Sequence, residues 1–254
     1  MQPLAAFTYG NQCWWCFGTA DSSEHKYKRT DVVSEFGRPP YREDGGLIRQ
    51  VDDGLAHKNI QGPNSRHFKF ETRLCSSCNT TRSQSFDLAY ESLVSYIRRN
   101  EHAILDEGRI DLSHVFGYAW ASKLLAVRQY FVKHACCRIA DAGLRVGDEL
   151  IDFLNQSAPR PPFYLVAEFL VDILELFGAG DARSGSLWLG GLRGWHAPDD
   201  PQIVRVDSHY GFGWLRFYWT YDPLARDFPD TMSGQVVVLS AGRSLPLSTT
   251  PETG

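Results

Sequence analysis

The 254-residue sequence predicts an α+β protein in three parts: an N-terminal unit stapled by four cysteines, a helical connector, and a C-terminal α+β unit. Three observations lead there. Two C-x-x-C pairs, Cys13/Cys16 and Cys75/Cys78, lie in the first hundred residues. Apolar residues then recur at helical spacing through most of the stretch from Phe86 to Asn155. Beyond the proline-rich QSAPRPPF, short apolar runs are punctuated by Gly, Pro and Asp, as strands are. The expected boundaries are 1–100, 101–157 and 158–247, with a disordered tail at 248–254. Domains cluster near roughly 100 to 150 residues, so a chain of this length accommodates such a division.

In the first part, residues 1–12 read as an irregular lead-in to the knuckle CWWCFG. TDVVSEFG, with Thr30 as N-cap and Gly37 as stop, predicts a short helix. RPPYREDGG is a loop. GLIRQVDDG and HFKFETRL alternate apolar and polar residues and predict two strands, the second running into the second knuckle. After Cys78 the spacing of Phe86, Ala89, Leu93 and Ile97 predicts a helix.

The connector is read as a long helix from about Leu112 to Gly143, with Phe116, Trp120, Leu124, Val127, Phe131 and Ala135 on one side, and a shorter one at 148–155. Pro159, Pro161 and Pro162 end it. FYLVAEFLVDILELF reads as a strand or as a buried helix. GSLWLGGL, PQIVRVDS, FGWLRFYWTYD and GQVVVLS read as strands. Their aromatics, Trp188, Trp195, Trp214, Phe217, Tyr218 and Trp219, are assigned to a core, because few basic residues accompany them as a base-stacking surface needs.

Composition excludes several classes. At 43% hydrophobic and 22% charged the chain can build a packed core, which argues against general disorder. No apolar run reaches the roughly 20 residues a membrane span needs, and the N-terminus lacks a signal-peptide pattern, so a cytoplasmic location without membrane contact is expected. The net charge of -4 argues against coating nucleic acid by bulk electrostatics, yet it is uneven. Residues 1–99 hold 13 Lys+Arg against 11 Asp+Glu, and residues 100–254 hold 13 against 19. From His57 to Arg82, five cations (Lys58, Arg66, Lys69, Arg73, Arg82) face one acid, Glu71, which is enough for a local phosphate-facing patch.

The cysteines carry the first chemical expectation. Two intervening residues let both sulfurs of a knuckle reach one ion, so two knuckles present four thiolates to a Zn²⁺. Disulfides of an oxidising compartment are the alternative. The 58 residues between the knuckles mark an insertion, and Cys136 and Cys137, inside YFVKHACCRIA, are read as packing thiols. Glu24 and His25 follow the first knuckle, and Asn79 directly follows the second.

The order C-x-x-C, Glu-His, C-x-x-C-Asn, then helix, resembles the zinc-containing branch of the HNH (ββα-metal) endonucleases over about residues 10–100. The resemblance implies a ββα-metal fold and metal-dependent hydrolysis of phosphodiesters in DNA, with RNA as the other substrate. His25 would be the general base. Glu24 and Asn79 would hold a catalytic Mg²⁺ or Mn²⁺, and Cys13, Cys16, Cys75 and Cys78 a separate structural zinc. The middle Asn of the motif is assigned to Asn64 in the turn GPNS in preference to Asn59, and Arg82 is a candidate phosphate contact one turn beyond Asn79. The Glu in place of the more usual Asp moves the carboxylate out by one methylene. The seven other histidines are read as structural, and the C-terminal part as an accessory unit for target selection, self-association or a protein partner. The competing reading is a zinc-stabilised module that binds nucleic acid or protein without turnover.

Overall fold

The computed structural model describes residues 4–39, 41, 48–52, 56–60, 62–157, 160–177, 187–197, 200–224 and 227–242; the C-terminal tail 248–254 lies outside them. The chain is mixed α+β. Helix α1 (Arg29–Phe36) is followed by a hairpin of β1 (Ile48–Asp52) and β2 (Ala56–Ile60). α1 starts one residue before Thr30, whose side chain therefore does not cap it, and Gly37 ends it at φ +80°, a backbone region that suits glycine. The sequence read HFKFETRL as a strand. Instead Arg66–Phe68 forms a 3-10 turn, and the extended residues after it pair with residues 22–26 through single bridges, His25 opposite Lys69 and Ser22 opposite Leu74.

A π-helical turn, Ser77–Arg82, leads into α2 (Gln84–Arg99). Then come α3 (Glu101–Glu107), β3 (Arg109–Asp111), α4 (Leu112–Phe116), α5 (Trp120–Asp141) and α6 (Asp148–Leu154). The expected single helix from Leu112 to Gly143 is thus broken at Gly117, which takes φ +60°. FYLVAEFLVDILELF is both of the alternatives in turn, β4 (Phe163–Leu170) and α7 (Val171–Phe177).

The remaining strands are β5 (Leu187–Leu189), β6 (Arg193–Ala197), β7 (Asp200–Phe212), β8 (Leu215–Tyr221), β9 (Val236–Val238) and β10 (Ser240–Gly242). All of these but β9 join β4 in one six-stranded sheet in the order β10-β4-β8-β7-β5, antiparallel except for the β10–β4 pair. β5 and β6 share one edge of the long β7, β5 beside residues 210–212 and β6 beside residues 200–207. β3 and β9 pair separately.

α5 lies between the sheet and α2. Phe131 meets Phe217 of β8 at 4.8 Å between ring centres, and Tyr130 stacks on Tyr90 of α2 at 3.9 Å. Every residue from Ala126 to Cys137 is buried, so this helix has no solvent face over three turns. One apolar cluster runs from Leu4 to Leu239 and draws on all three expected parts, so residues 100 and 157 mark changes of element and not separate cores. α1 is tied in by the buried Asp31, whose carboxylate accepts from Tyr90 (2.8 Å), Tyr210 (2.7 Å) and Arg98 (3.2 Å).

The core also holds neutral imidazoles. His134 of α5 bonds through Nε2 to the Lys26 carbonyl oxygen at 3.0 Å, and burial, helped by Arg138 and Lys133, pushes its pKa down to about 3. Burial, with Arg216, pushes His209 down to about 4. An unfolded imidazole binds a proton near pH 6.5. Between these values the unfolded chain holds protons that the fold refuses, so stability is complete above about pH 6.5 and falls as pH drops toward 3. Each ring contributes up to about 1.4 kcal/mol per pH unit. Thermal melts should therefore show Tm falling from pH 7 to pH 5, and His134→Gln, which can still donate to the Lys26 carbonyl, should flatten that fall. An equal acid-side fall in the variant would remove His134 from the account.

Candidate functional site

The two knuckles close on each other. The sulfurs of Cys13, Cys16, Cys75 and Cys78 all lie within 4.8 Å of one another, and no disulfide links them. Four sulfurs at about 2.3 Å from one zinc would stand about 3.8 Å apart, the edge of the tetrahedron. Cys16 and Cys75 stand 3.6 Å apart. The arrangement is compatible with a structural zinc site, and among the described residues it is the only cluster of three or more Cys, His, Asp or Glu so disposed.

Local backbone builds the cage. Phe17 N–H donates to the Cys13 carbonyl and Cys13 N–H to Gly18, closing the first knuckle; Cys78 N–H donates to the Cys75 sulfur at 3.4 Å, which helps hold that thiol's pKa below its ordinary value. Burial raises the Cys13 and Cys78 thiols instead, so their ionisation calls for a cation at the centre.

Arg82 belongs to this cage. Its guanidinium donates to the Cys78 sulfur (3.3 Å) and to Asn155 of α6 (2.5 Å), and lies 4.7 Å over the Trp15 ring. Trp15 donates to the same Asn155 oxygen at 2.8 Å. The expected phosphate contact is thus spent on screening a sulfur and pinning α6.

Beside the cage is an open cavity of about 590 Å³, and three of the expected residues line it: Glu24, His25 and Asn79. Glu24 and His25 sit on the segment paired with residues 68–74, through Phe70 N–H to the Glu24 carbonyl (3.0 Å) and Lys26 N–H to the Phe68 carbonyl (2.6 Å). Asn79 is placed by the π-turn, one residue after a zinc-cage cysteine. Its Nδ2 donates to Ser22 Oγ at 2.8 Å. Among the described residues, Asn79 Oδ1 and His25 Nε2 are both buried without a hydrogen-bond partner. Burial lowers the His25 pKa, Glu24 opposes that, and Lys69, Lys28 and Arg29 add to it.

Lys69, directly across from His25, and Arg73 also line the cavity. Neither has an ion-pair partner among the described residues. Asn64 does not join this group; it lines a second cavity with Arg66 and His67.

Sequence reasoning missed the residue that holds the cavity together. Lys133, from the middle of α5, is buried and reaches Glu24 Oε2 at 2.5 Å, Ser83 Oγ at 2.9 Å, the Asn79 carbonyl at 3.5 Å and Asp87 at 3.8 Å. Burial works against its charge, but Glu24 and Asp87 outweigh that and hold its pKa above the ordinary lysine value. Lys28 answers Asp87 from outside at 2.7 Å. A lysine in the middle of the apolar pattern YFVKHACCRIA was the available signal, since such a group is buried only when paired. Comparison with family models, with curated proteins and with solved structures finds no match for this chain.

Removing one member of a buried ion pair strands the other, at about 3–5 kcal/mol. Lys133→Met should cost that much in urea unfolding, and Glu24→Gln, which keeps hydrogen-bonding capacity, markedly less. A Lys133→Met protein as stable as the parent would show that Glu24 and Asp87 do not depend on it.

Proposed function

We propose that this chain is a metal-dependent endonuclease of the HNH (ββα-metal) kind, hydrolysing phosphodiesters of DNA, with RNA as the other substrate class. The observation that carries the reading is the cavity itself: an imidazole nitrogen and an amide oxygen, buried beside a carboxylate and without hydrogen-bond partners among the described residues, with Lys69 and Arg73 on the wall. Buried polar atoms without partners are uncommon in folded proteins and point to a ligand.

The oxygens fit a hard divalent cation. Asn79 Oδ1 is free to coordinate. Glu24 uses its carboxylate for Lys133 and for the His25 N–H (3.1 Å), and about two of its four lone-pair positions remain. Held there, Mg²⁺ or Mn²⁺ would supply Lewis-acid stabilisation of the charge that gathers on the phosphate and on the departing 3′ oxygen.

The chain's own groups do the rest. Burial keeps the His25 ring neutral, so Nε2 can accept the proton of a water as that water's oxygen bonds to phosphorus and the bond to the 3′ oxygen breaks. Lys69 and Arg73 orient the phosphate opposite His25. Lys133, too deep to touch substrate, positions Glu24. The four cysteines hold a structural Zn²⁺ that fixes Asn79 and the start of α2 relative to the first knuckle.

Elemental analysis should find about one tightly held zinc per chain. Cys75→Ser should release it and lower stability, whereas Cys137→Ser should leave the zinc in place. In Mg²⁺ or Mn²⁺, His25→Ala should lower plasmid cleavage by roughly 10² to 10⁴ with zinc content and nucleic-acid binding intact. Cleavage undiminished in that variant would end the assignment. A wild-type protein that retains nucleic acid and zinc but cuts nothing would leave the binding module.

A further inference from the structure

The second cavity, about 510 Å³, is lined by Arg29, Asn64, Ser65, Arg66 and His67 together with Pro39, Gly62 and Pro63. Among these described residues there is no carboxylate, and neither Arg29 nor Arg66 has a charged partner among the described residues. Two guanidiniums lining one hollow, with no acid among the described residues to answer them, repel each other and favour an anion between them. In the first cavity, by contrast, Asp21, Glu24 and Asp87 accompany the cations.

The placement of this hollow gives it a partner. Both cavities open along the same two paired segments. Lys28 lines the first and Arg29 the second; Lys69 lines the first and His67 the second. The segments are joined between them by the Lys26–Phe68 hydrogen bond and the His25–Lys69 bridge. Arg29 is near enough to bear electrostatically on the His25 ring. The two cavities are thus lined by neighbouring residues of the same paired segments.

We propose that the Arg29/Arg66 cavity is a binding site for a flanking phosphate of the nucleic-acid strand whose scissile phosphate lies at His25. The proposal rests on the nuclease reading for the identity of the strand. Arg29 and Arg66 contact the phosphate oxygens. Asn64 and Ser65 offer uncharged hydrogen bonds beside them. Contacts of this kind set register and affinity and leave base sequence unread.

The test uses the His25→Ala protein, in which turnover is removed, and a fluorescein-labelled 20-nucleotide single-stranded DNA followed by anisotropy from 50 to 200 mM salt. Each phosphate contact contributes about 0.7 to the slope of log affinity against log salt for a single strand. Adding Arg29→Ala and Arg66→Ala should lower that slope by about 1.4 and weaken binding at least tenfold at low salt, with Tm unchanged. Arg66→Lys on its own, which keeps both charges, should leave most of the slope in place. An unchanged slope in the double variant overturns the proposal. So does tight binding of inorganic phosphate alone by calorimetry, lost in the double variant, which would make the hollow a free-anion site. The two readings fail separately. Strand binding that depends on Arg29 and Arg66 in a wild-type protein that never cuts sinks the nuclease and keeps the site. His25-dependent cutting with an indifferent double variant does the reverse.

Discussion

A lysine ammonium buried in the middle of a helix has to be answered from every direction, and in this protein the answer to Lys133 organises the fold. The cost of bringing its charge out of water is of the order of several kcal/mol, recovered only with good geometry and further hydrogen bonds. Glu24, Ser83, the Asn79 carbonyl and Asp87 provide these. They come from the segment after the first knuckle, from the π-turn and from α2. A single cation therefore fixes three pieces of chain that the backbone alone would leave independent, and its charge sets the place of Glu24 beside His25.

The same helix joins the other side of the molecule by the same means. Arg128 donates to the carbonyls of Met232 and Phe163 and pairs with Asp230, and Gln129 donates to the Phe153 carbonyl. With Lys133 and His134 these are the polar members of the buried stretch from Ala126 to Cys137. The sheet, α6 and the candidate cavity are registered against one another through it. A core of hydrocarbon alone would fix density more than register.

Much of the N-terminal site was legible because its signals are local. A C-x-x-C knuckle folds on its own spacing, so four cysteines could be read as one cluster, and an Asn that follows a knuckle cysteine cannot stray far from it. Lys133 was illegible because its partner Glu24 lies far away in sequence, and a helix buried all round shows no periodic face to mark its polar members. Asn64 was assigned by turn chemistry, which places a residue in a loop without saying which cavity the loop borders. Arg82 was read from helical spacing as a phosphate contact one turn beyond Asn79; the π-turn changes the angular offset, and its side chain meets Cys78 and Asn155. The strand-or-helix ambiguity of FYLVAEFLVDILELF was real, since both forms bury a continuous apolar run and the chain uses one after the other.

Cys78 and Asn79 face different chemistries across one peptide bond, the first toward the thiol cage and the second toward the cavity. Successive side chains of a helical turn, here π-helical, point in different directions, so this back-to-back arrangement is a matter of angular phase. The cage and the cavity are thus geared together at a ratio that a single inserted or deleted residue between Cys75 and Ser83 would destroy. Length can vary freely in surface loops, but here it is quantised. A change of chain length is therefore tolerated less here than in the 58-residue excursion between the knuckles.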